Sequence, residues 1–439
     1  MFLLEIISVI LAFLCLLELL VLYKDNGRVR HLLSKIKKYA KKHGVCSTLL
    51  YTAIYVFRKA KSRKMKYKTS HKPVQQEQFS QSEIPALDAS SLNIGILLNG
   101  GIGDFIILAN YIHKFRQKFS CPNMRIDTIV SRNFSVAQVL IGNDISENLL
   151  LLDHDTIYKK NIYRKYDLFL DIDRYPMYSN KNLEKIQKYN PSLLDYCLLI
   201  DKQRLVTPRF FSRPMYDGQN AIYAKINGKK RITQADIGGR LGMSEIYEYL
   251  LPLKLNSSET LEKFGLSNKK IIAVISGFDF LQGSFSNKVW PVFYYNKLLQ
   301  KIKDSYPDYF IVQMGTGENA VTFTGVDLNL QGKTTFEETE IILQNAALLI
   351  GNEGGMIHLR HALHGGTSIV LFSSTDKDFF GYSENINING NGCQYPCEWF
   401  YKGWQEKCVN QNHFACVWSL TPNMVFNKFK EWDRQYEKN

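Results

Sequence analysis

Seven short runs rich in aliphatic and β-branched residues constrain this chain more than any other feature. They are "NIGILLNG", "MRIDTIVS" and "YDLFLDID" in the first part, then "KIIAVISG", "YFIVQMG", "ALLIGNE" and "TSIVLFS". Most of them are continuous apolar stretches rather than alternating ones, and helix-length segments separate them. Strands of this kind are buried on both faces, as in parallel sheets covered by helices. A less regular stretch, roughly Asn180 to Lys269, divides the series in two. The pattern therefore predicts an α/β chain with two domains, and no internal repeat of solenoid length competes with it.

The segment before these runs has a different character. Phe2 to Tyr23 is apolar apart from Glu5 and Glu18, about the 20 residues that a bilayer-spanning helix requires. No Lys or Arg precedes it and no small-residue cleavage site follows, which favours an uncleaved anchor over a signal peptide. From Lys24 to Lys72 there are sixteen Lys or Arg against Asp25 alone, so the whole net charge of +14 resides there. A basic block directly after an apolar span marks the cytoplasmic side and attracts anionic lipid headgroups. The expected location is the inner (cytoplasmic) membrane, single-pass, with the body in the cytosol. Because the remainder is nearly neutral, nucleic acid is not expected as a partner. Val45 to Phe57, "VCSTLLYTAIYVF", is too short to span and reads either as an amphipathic surface segment or as a solvated helix. Thr69 to Ser91 turns polar, as linkers do, and the folded body starts near Leu92.

The first run leads into "LLNGGIGDFIIL", Leu97 to Leu108. A dinucleotide fingerprint would need G-x-G-x-x-G, with a third glycine for close helix packing. Gly101 and Gly103 fit, but the third position is Ile106, so an oxidoreductase with a nicotinamide or flavin cofactor is disfavoured. What remains is a strand, a tight turn and Asp104 at the start of a helix, Phe105 to Phe119. Asp104 reads either as the cap of that helix or as a functional carboxylate, since ligands of open α/β sheets bind outside the carboxyl ends of strands.

The segment Asn329 to Asp376, "NLQGKTTFEETEIILQNAALLIGNEGGMIHLRHALHGGTSIVLFSSTD", resembles the most recognisable block of glycosyltransferase family 9, the lipopolysaccharide heptosyltransferase family. The "GDFIIL" turn resembles that family's "L-G-D" signature, "YDLFLDID" its "Y-D-L-V-I-D" strand, and "NKVWP" (Asn287 to Pro291) its "K-x-W-P" motif. The resemblance covers Leu92 to Asp376 and implies a GT-B architecture, two Rossmann-like domains facing each other across a cleft. It implies an inverting transfer of heptose from ADP-heptose, without a catalytic metal, onto a lipopolysaccharide-type or other surface-glycan acceptor or onto a protein. In this frame Asp104 is the catalytic base, with Gly101 and Gly103 forming the acceptor-side turn. Lys288, Ser276, Glu353, Gly354, Gly355, Met356 and His358 form the donor side. Gly354 and Gly355 open a helix, Met356 to Leu363, whose free N–H groups and positive dipole end suit a pyrophosphate. His358 also reads as a core histidine. Thr334 and Thr335, each with a Glu three residues on, read as capping boxes, and Trp290 and Pro291 as packing and helix-start residues. Two departures stand out. The family's "D-S/T-G" is Glu353–Gly354–Gly355 here, and its "G-P-T-D" is "SSTD", Ser373 to Asp376.

Of eight cysteines, Cys393, Cys397, Cys408 and Cys416 cluster as C-x3-C-x10-C-x7-C. In a cytosolic protein such clustering favours a metal over disulfides, and four thiolates suit zinc or iron held tetrahedrally; free thiols are the alternative. Thr421 and Pro422 then start a terminal helix, which in the GT-B architecture typically returns to the first domain. The expected organisation is an anchor over 1–23, a basic region and linker over 24–91, an acceptor domain over 92–255, a nucleotide-sugar domain over 256–416 and a terminal helix over 417–439. The rival class is a binding protein that keeps the fold without the chemistry, which the intact Asp104 and Lys288 disfavour.

Overall fold

The structure is a computed structural model that describes residues 82–439, apart from 132–133, 143, 173–174, 207–221, 223, 249–250, 277–286, 317–320, 394–395, 399–407, 409 and 439. The expected anchor, basic block and Val45–Phe57 segment lie outside the described residues. Among the described residues no helix is long and apolar enough to cross a membrane.

Two sheets carry the body. The first contains β1 (Leu92–Leu98), β2 (Met124–Val130), β3 (Asn148–Leu151), β4 (Leu168–Ile172) and β5 (Pro176–Lys181), in the order β3-β2-β1-β4-β5. Its first four strands are parallel, and β5 pairs antiparallel on β4 with a register shift at Phe169/Leu170. The second contains β6 (Lys270–Ile275), β7 (Tyr309–Gln313), β8 (Leu328–Asn329), β9 (Leu348–Asn352), β10 (Ser368–Phe372) and β11 (Ile386–Asn389). It is parallel throughout, in the order β11-β10-β9-β6-β7-β8. Each of the seven apolar runs contains one of these strands. β1, β9 and β10 are buried at every residue, which is why their sequences do not alternate.

The strand orders place the reactive ends. From β1 the chain moves outward through β2 to β3 and then returns to the other side of β1 with β4. In the second sheet it moves from β6 to β8 and returns with β9 beside β6. The order thus reverses between β1 and β4 and between β6 and β9, and ligand crevices open at the carboxyl ends of strands at such points. Glycine turns and helices follow both β1 and β9: α1 (Ile102–Phe119) and, after α2 (Val292–Ser305) and α3 (Phe336–Asn345), α4 (Gly355–Ala362).

Local chemistry sets the helix ends. α1 begins at Ile102 rather than Phe105, so Asp104 is its third residue. Thr335 and Glu338 form a reciprocal capping box on α3. Thr334 does not repeat it, and its hydroxyl meets that of Thr339 instead. Pro291 precedes α2, and Thr421 caps the terminal helix α5 (Pro422–Tyr436) by accepting from the Met424 N–H.

α5 packs on the second sheet, not on the first as the family architecture led us to expect. Val425, Phe429 and Trp432 form an i, i+4, i+7 stripe that shares a core with Leu298, Leu299, Ile302 and Tyr309. Phe429 meets the Tyr306 ring edge-on at 5.1 Å, and the Tyr309 hydroxyl donates to Asp433 at 2.6 Å. These aromatic partners lie beside α5 in the second half, and they determine where it docks.

Arg360 on α4 is fully buried and donates to the carbonyls of Leu343, Ala346 (2.8 Å), Ala347 and Thr367. Burial pushes its guanidinium down to about 10, and it remains charged at neutral pH. It ties the end of α3 to α4 and to the approach to β10. Each buried carbonyl left unpaired costs about 1–3 kcal/mol. Arg360→Ala is therefore expected to lower the unfolding free energy by roughly 3 kcal/mol or more. A denaturant midpoint unchanged from that of the parent chain would refute this.

Candidate functional site

The site is built from two strand–glycine–helix units whose helix starts touch. After β1, Gly100 takes φ +131°, and a Cβ there would lie 2.5 Å from the Asp104 carboxylate. Only glycine satisfies both conditions. Gly101 has open space around it and supplies its N–H, 3.0 Å from Asp104 Oδ2. Gly103 is dictated from the other half, because a Cβ there would lie 2.4 Å from Cδ2 of His358. In return, a Cβ on Gly355 would lie 3.1 Å from that of Ile102 and 3.2 Å from the Gly103 nitrogen. Gly354 is extended and unobstructed, so a serine or threonine would fit there. The steric need for glycine thus falls at Gly100, Gly103 and Gly355, and of these the sequence reading missed Gly100.

Asp104 both caps its helix and forms an ion pair across the chain. Its second oxygen, Oδ1, accepts from Nη2 of Arg231 at 2.6 Å. Arg231 is only 2% exposed and lies in a short 3-10 turn, Arg231–Thr233. That turn belongs to a strap, residues 224–248, that grips both halves. Towards α1, the Tyr247 hydroxyl donates to the Ile106 carbonyl at 2.7 Å and Lys114 pairs with Glu248. Towards the second half, Lys225 pairs with Asp376 at 2.6 Å. His361 Nε2 lies 2.9 Å from the Glu245 carbonyl, and His364 Nε2 lies 2.9 Å from that of Tyr247.

On the second half, residues that the family 9 resemblance placed on the donor side lie at the ends of β6 and β9. Lys288 Nζ lies 2.6 Å from Glu353 Oε2 and 3.1 Å from Glu398 Oε1. Burial alone would pull the Lys288 ammonium down, but the two carboxylates outweigh it and raise its pKa. Burial would likewise raise Glu353, and Lys288 with His358 holds it below the usual carboxylate range instead. His358 Nε2 lies 3.7 Å from Glu353 Oε1, and its Nδ1 lies 2.5 Å from the Tyr382 hydroxyl. The Lys288 turn is fixed by Asn352, which donates to the Lys288 carbonyl at 2.7 Å and accepts from the Trp290 N–H at 3.1 Å. Trp290 is a packing residue whose indole N–H reaches the Leu420 carbonyl at 2.7 Å. Ser276 directly follows β6, half-buried, and Met356 packs in the first turn of α4. Gly354 caps α4 without any side-chain bond.

The four clustered cysteines lie near one another. The thiols of Cys393, Cys397 and Cys408 are near enough to Cys416 to help push it up to about 12, after burial, the larger cause. Burial and its neighbours push Cys397 up to about 11. Even so, among the described residues no three His, Cys, Asp or Glu side chains are placed to hold one metal ion. Two of the sulfurs accept from amides instead: Cys397 from Asn287 at 3.7 Å and Cys393 from Asn412 at 3.9 Å. The loop is also joined to the segment after β10, since Cys397 and Glu398 both donate their N–H groups to the Ser374 carbonyl.

Arg231, Glu398, Tyr382 and Asn352 were not singled out in the sequence. Arg231 lies in the irregular stretch and carries no motif, and Glu398 was overshadowed by the cysteine beside it. Asn352 had a signal, since it ends an apolar strand directly before the glycine turn.

The close approach of the two helix starts can be tested directly. Gly103→Ala must push His358 aside, at a cost of about 1–3 kcal/mol as for other overpacked sites. His358→Ala in the same chain should restore most of the lost thermal stability. Additive losses in the double variant would rule out the contact.

A search of curated proteins finds no match to this chain. The solved structures that match include the following three. Escherichia coli ADP-heptose lipopolysaccharide heptosyltransferase II is 13% identical, with 79% of this chain and 99% of that one covered and a TM-score of 0.48. The iron-containing dodecameric glycosyltransferase TibC from enterotoxigenic E. coli is 13% identical, with 79% and 77% covered and a TM-score of 0.50. TibC in complex with ADP-D-β-D-heptose gives 12% identity, the same coverage and a TM-score of 0.51. The likeness to TibC shows a shared α/β fold with parallel sheets. Residues 245–409, which hold Lys288, Glu353, His358 and Glu398, match the model of glycosyltransferase family 9 (heptosyltransferase).

Proposed function

We propose that this chain is an inverting glycosyltransferase that moves heptose from ADP-heptose onto a lipopolysaccharide-type or other surface-glycan acceptor. The observation that carries the reading is the meeting of the two glycine turns. It brings the turn that carries Asp104 against the start of α4, whose N-terminus has no side-chain cap, at the switch points of both sheets. The family 9 match over residues 245–409 and the ADP-heptose complex of TibC support the choice of donor.

In this reading the pyrophosphate sits on the N–H groups of Gly355 and Met356, where the helix dipole favours negative charge. Ser276, Gly354 and His358 line the same side. Lys288 is shared between Glu353 and Glu398, so these three groups together carry one negative charge. Lys288 therefore turns from a carboxylate towards phosphate as the donor binds, and Glu353 accepts from hydroxyls of the sugar. The acceptor hydroxyl attacks the anomeric carbon from the face opposite the nucleotide. The bond to the diphosphate oxygen breaks with its electron pair, and the hydroxyl proton passes to Asp104. Inversion follows from the opposite-face attack.

Asp104→Asn keeps the shape and can still accept from the Gly101 N–H, but it removes the basicity and also the charge that Arg231 pairs with. Loss of general-base help costs on the order of 10²–10⁴ in rate, and kcat is expected to fall by that factor with donor affinity little changed. Lys288→Ala should instead weaken donor binding and lower stability, because it leaves two buried carboxylates without their cation. The assay is mass spectrometry of products from a panel of nucleotide sugars, offered with glycolipid and peptide acceptors. Near-normal turnover by folded Asp104→Asn would defeat the assignment of the base.

We further propose that Cys393, Cys397, Cys408 and Cys416 hold one structural zinc or iron ion, which draws the four sulfurs closer together. Support comes from their soft donor set, their mutual proximity and the iron-containing TibC fold. Elemental analysis of protein never exposed to chelator should find about one such ion per chain, and finding neither metal would overturn the proposal. The basic block and the apolar Phe2–Tyr23 run support a body working at the cytoplasmic face of the inner membrane.

A further inference from the structure

We infer that Arg231 is the positioning residue of the site, orienting the Asp104 carboxylate and setting its basicity; this rests on the reading of Asp104 as the base. The two oxygens of Asp104 are held from opposite sides of the chain, Oδ2 by the Gly101 N–H at 3.0 Å and Oδ1 by Arg231 at 2.6 Å. Two hydrogen bonds from separate segments fix the carboxylate plane, which neither would do alone. Arg231 is buried, so its charge acts on Asp104 with little screening by solvent. The Asp104 side chain keeps 22% of its surface open, enough for an acceptor hydroxyl to reach it.

The charged and titratable surroundings come from every element packed there. α1 contributes Asp104 itself, and the strap contributes Arg231, Lys230 and Glu245, the last two paired with each other. The turn after β9 contributes Glu353 and α4 contributes His358, which lies against Gly103. The segment before β11 contributes Tyr382, whose hydroxyl binds His358 and senses the charge of Arg231. Arg231 is a cation in direct contact with the carboxylate. An opposite charge this close favours the ionised form of a carboxylate by roughly 1–3 pH units. In this reading the contact favours the form of Asp104 that can accept a proton.

The strap gives Arg231 a second effect. Its turn continues into Lys230, Glu245 and Tyr247, which hold the second half and the backbone of α1. Moving the halves apart would therefore pull on the Arg231–Asp104 bond. The base is oriented when the halves are together.

The experiment uses the full chain with ¹³C-labelled aspartate carboxyls, and Asp104→Asn identifies the resonance. In Arg231→Gln the Asp104 carboxyl should titrate about 1–3 pH units higher than in the parent, and the acid limb of the kcat/KM profile should move by the same amount. Arg231→Lys retains the charge, so it should leave the titration near the parent value while kcat falls through loss of the planar geometry. An unmoved Asp104 resonance in folded Arg231→Gln overturns the inference. If that variant does not fold, an Arg231→Lys chain with parent kcat overturns it. A shifted resonance in a chain that turns over no nucleotide sugar would uphold the effect of Arg231 on Asp104 and defeat the enzymatic reading, so the two failures are distinct.

Discussion

The contact between Gly103 and His358 is the constraint on which the rest of the site depends. Two sheets, each ending in a glycine turn, come close enough for a histidine ring on one helix to fill the space where a side chain on the other would stand. A residue with a Cβ at Gly103 or Gly355 would press on the opposite helix start, so that one of the two turns would have to shift. The orientation of His358 is itself secured from behind by Tyr382, which stacks on His361 with ring centroids 3.5 Å apart.

Around this contact the charges are paired rather than free. Asp104 is matched by Arg231, and Lys288 by Glu353 and Glu398. Buried ions are tolerated only with partners, and here each pair joins residues distant in sequence. Ligand binding at such a site is an exchange of partners. Selectivity then depends on whether the incoming group replaces the hydrogen bonds that it displaces, a more demanding criterion than charge alone.

Much of the fold was legible in the sequence because burial on both faces leaves a continuous apolar signature. The strands that escaped notice lie at or near the edges. β3 is only four residues long, β5 begins with a proline and continues through Tyr178, Ser179 and Asn180, β8 is two residues long, and β11 reads "ININ". Half-exposed edge strands carry weak patterns. Asp104 was legible through its glycines and the resemblance to family 9, and Lys288 through the resemblance alone. Arg231 was not, since its role comes from an ion pair spanning 127 positions of sequence, and nothing local encodes that. The docking of α5 was misjudged because its partners, Tyr306 and Tyr309, are set by tertiary packing rather than by its own capping residues.

The shortness of the outer strands has a consequence for how copies of this chain can meet. The two sheets are bounded by β3, β5, β8 and β11, none longer than six residues, and β5 runs against the direction of its neighbour. Each offers a foreign strand only a few unpaired peptide groups. Copies held side by side would therefore meet through side chains rather than by extending one another's sheets, and crowding would favour reversible association over fibrous aggregation.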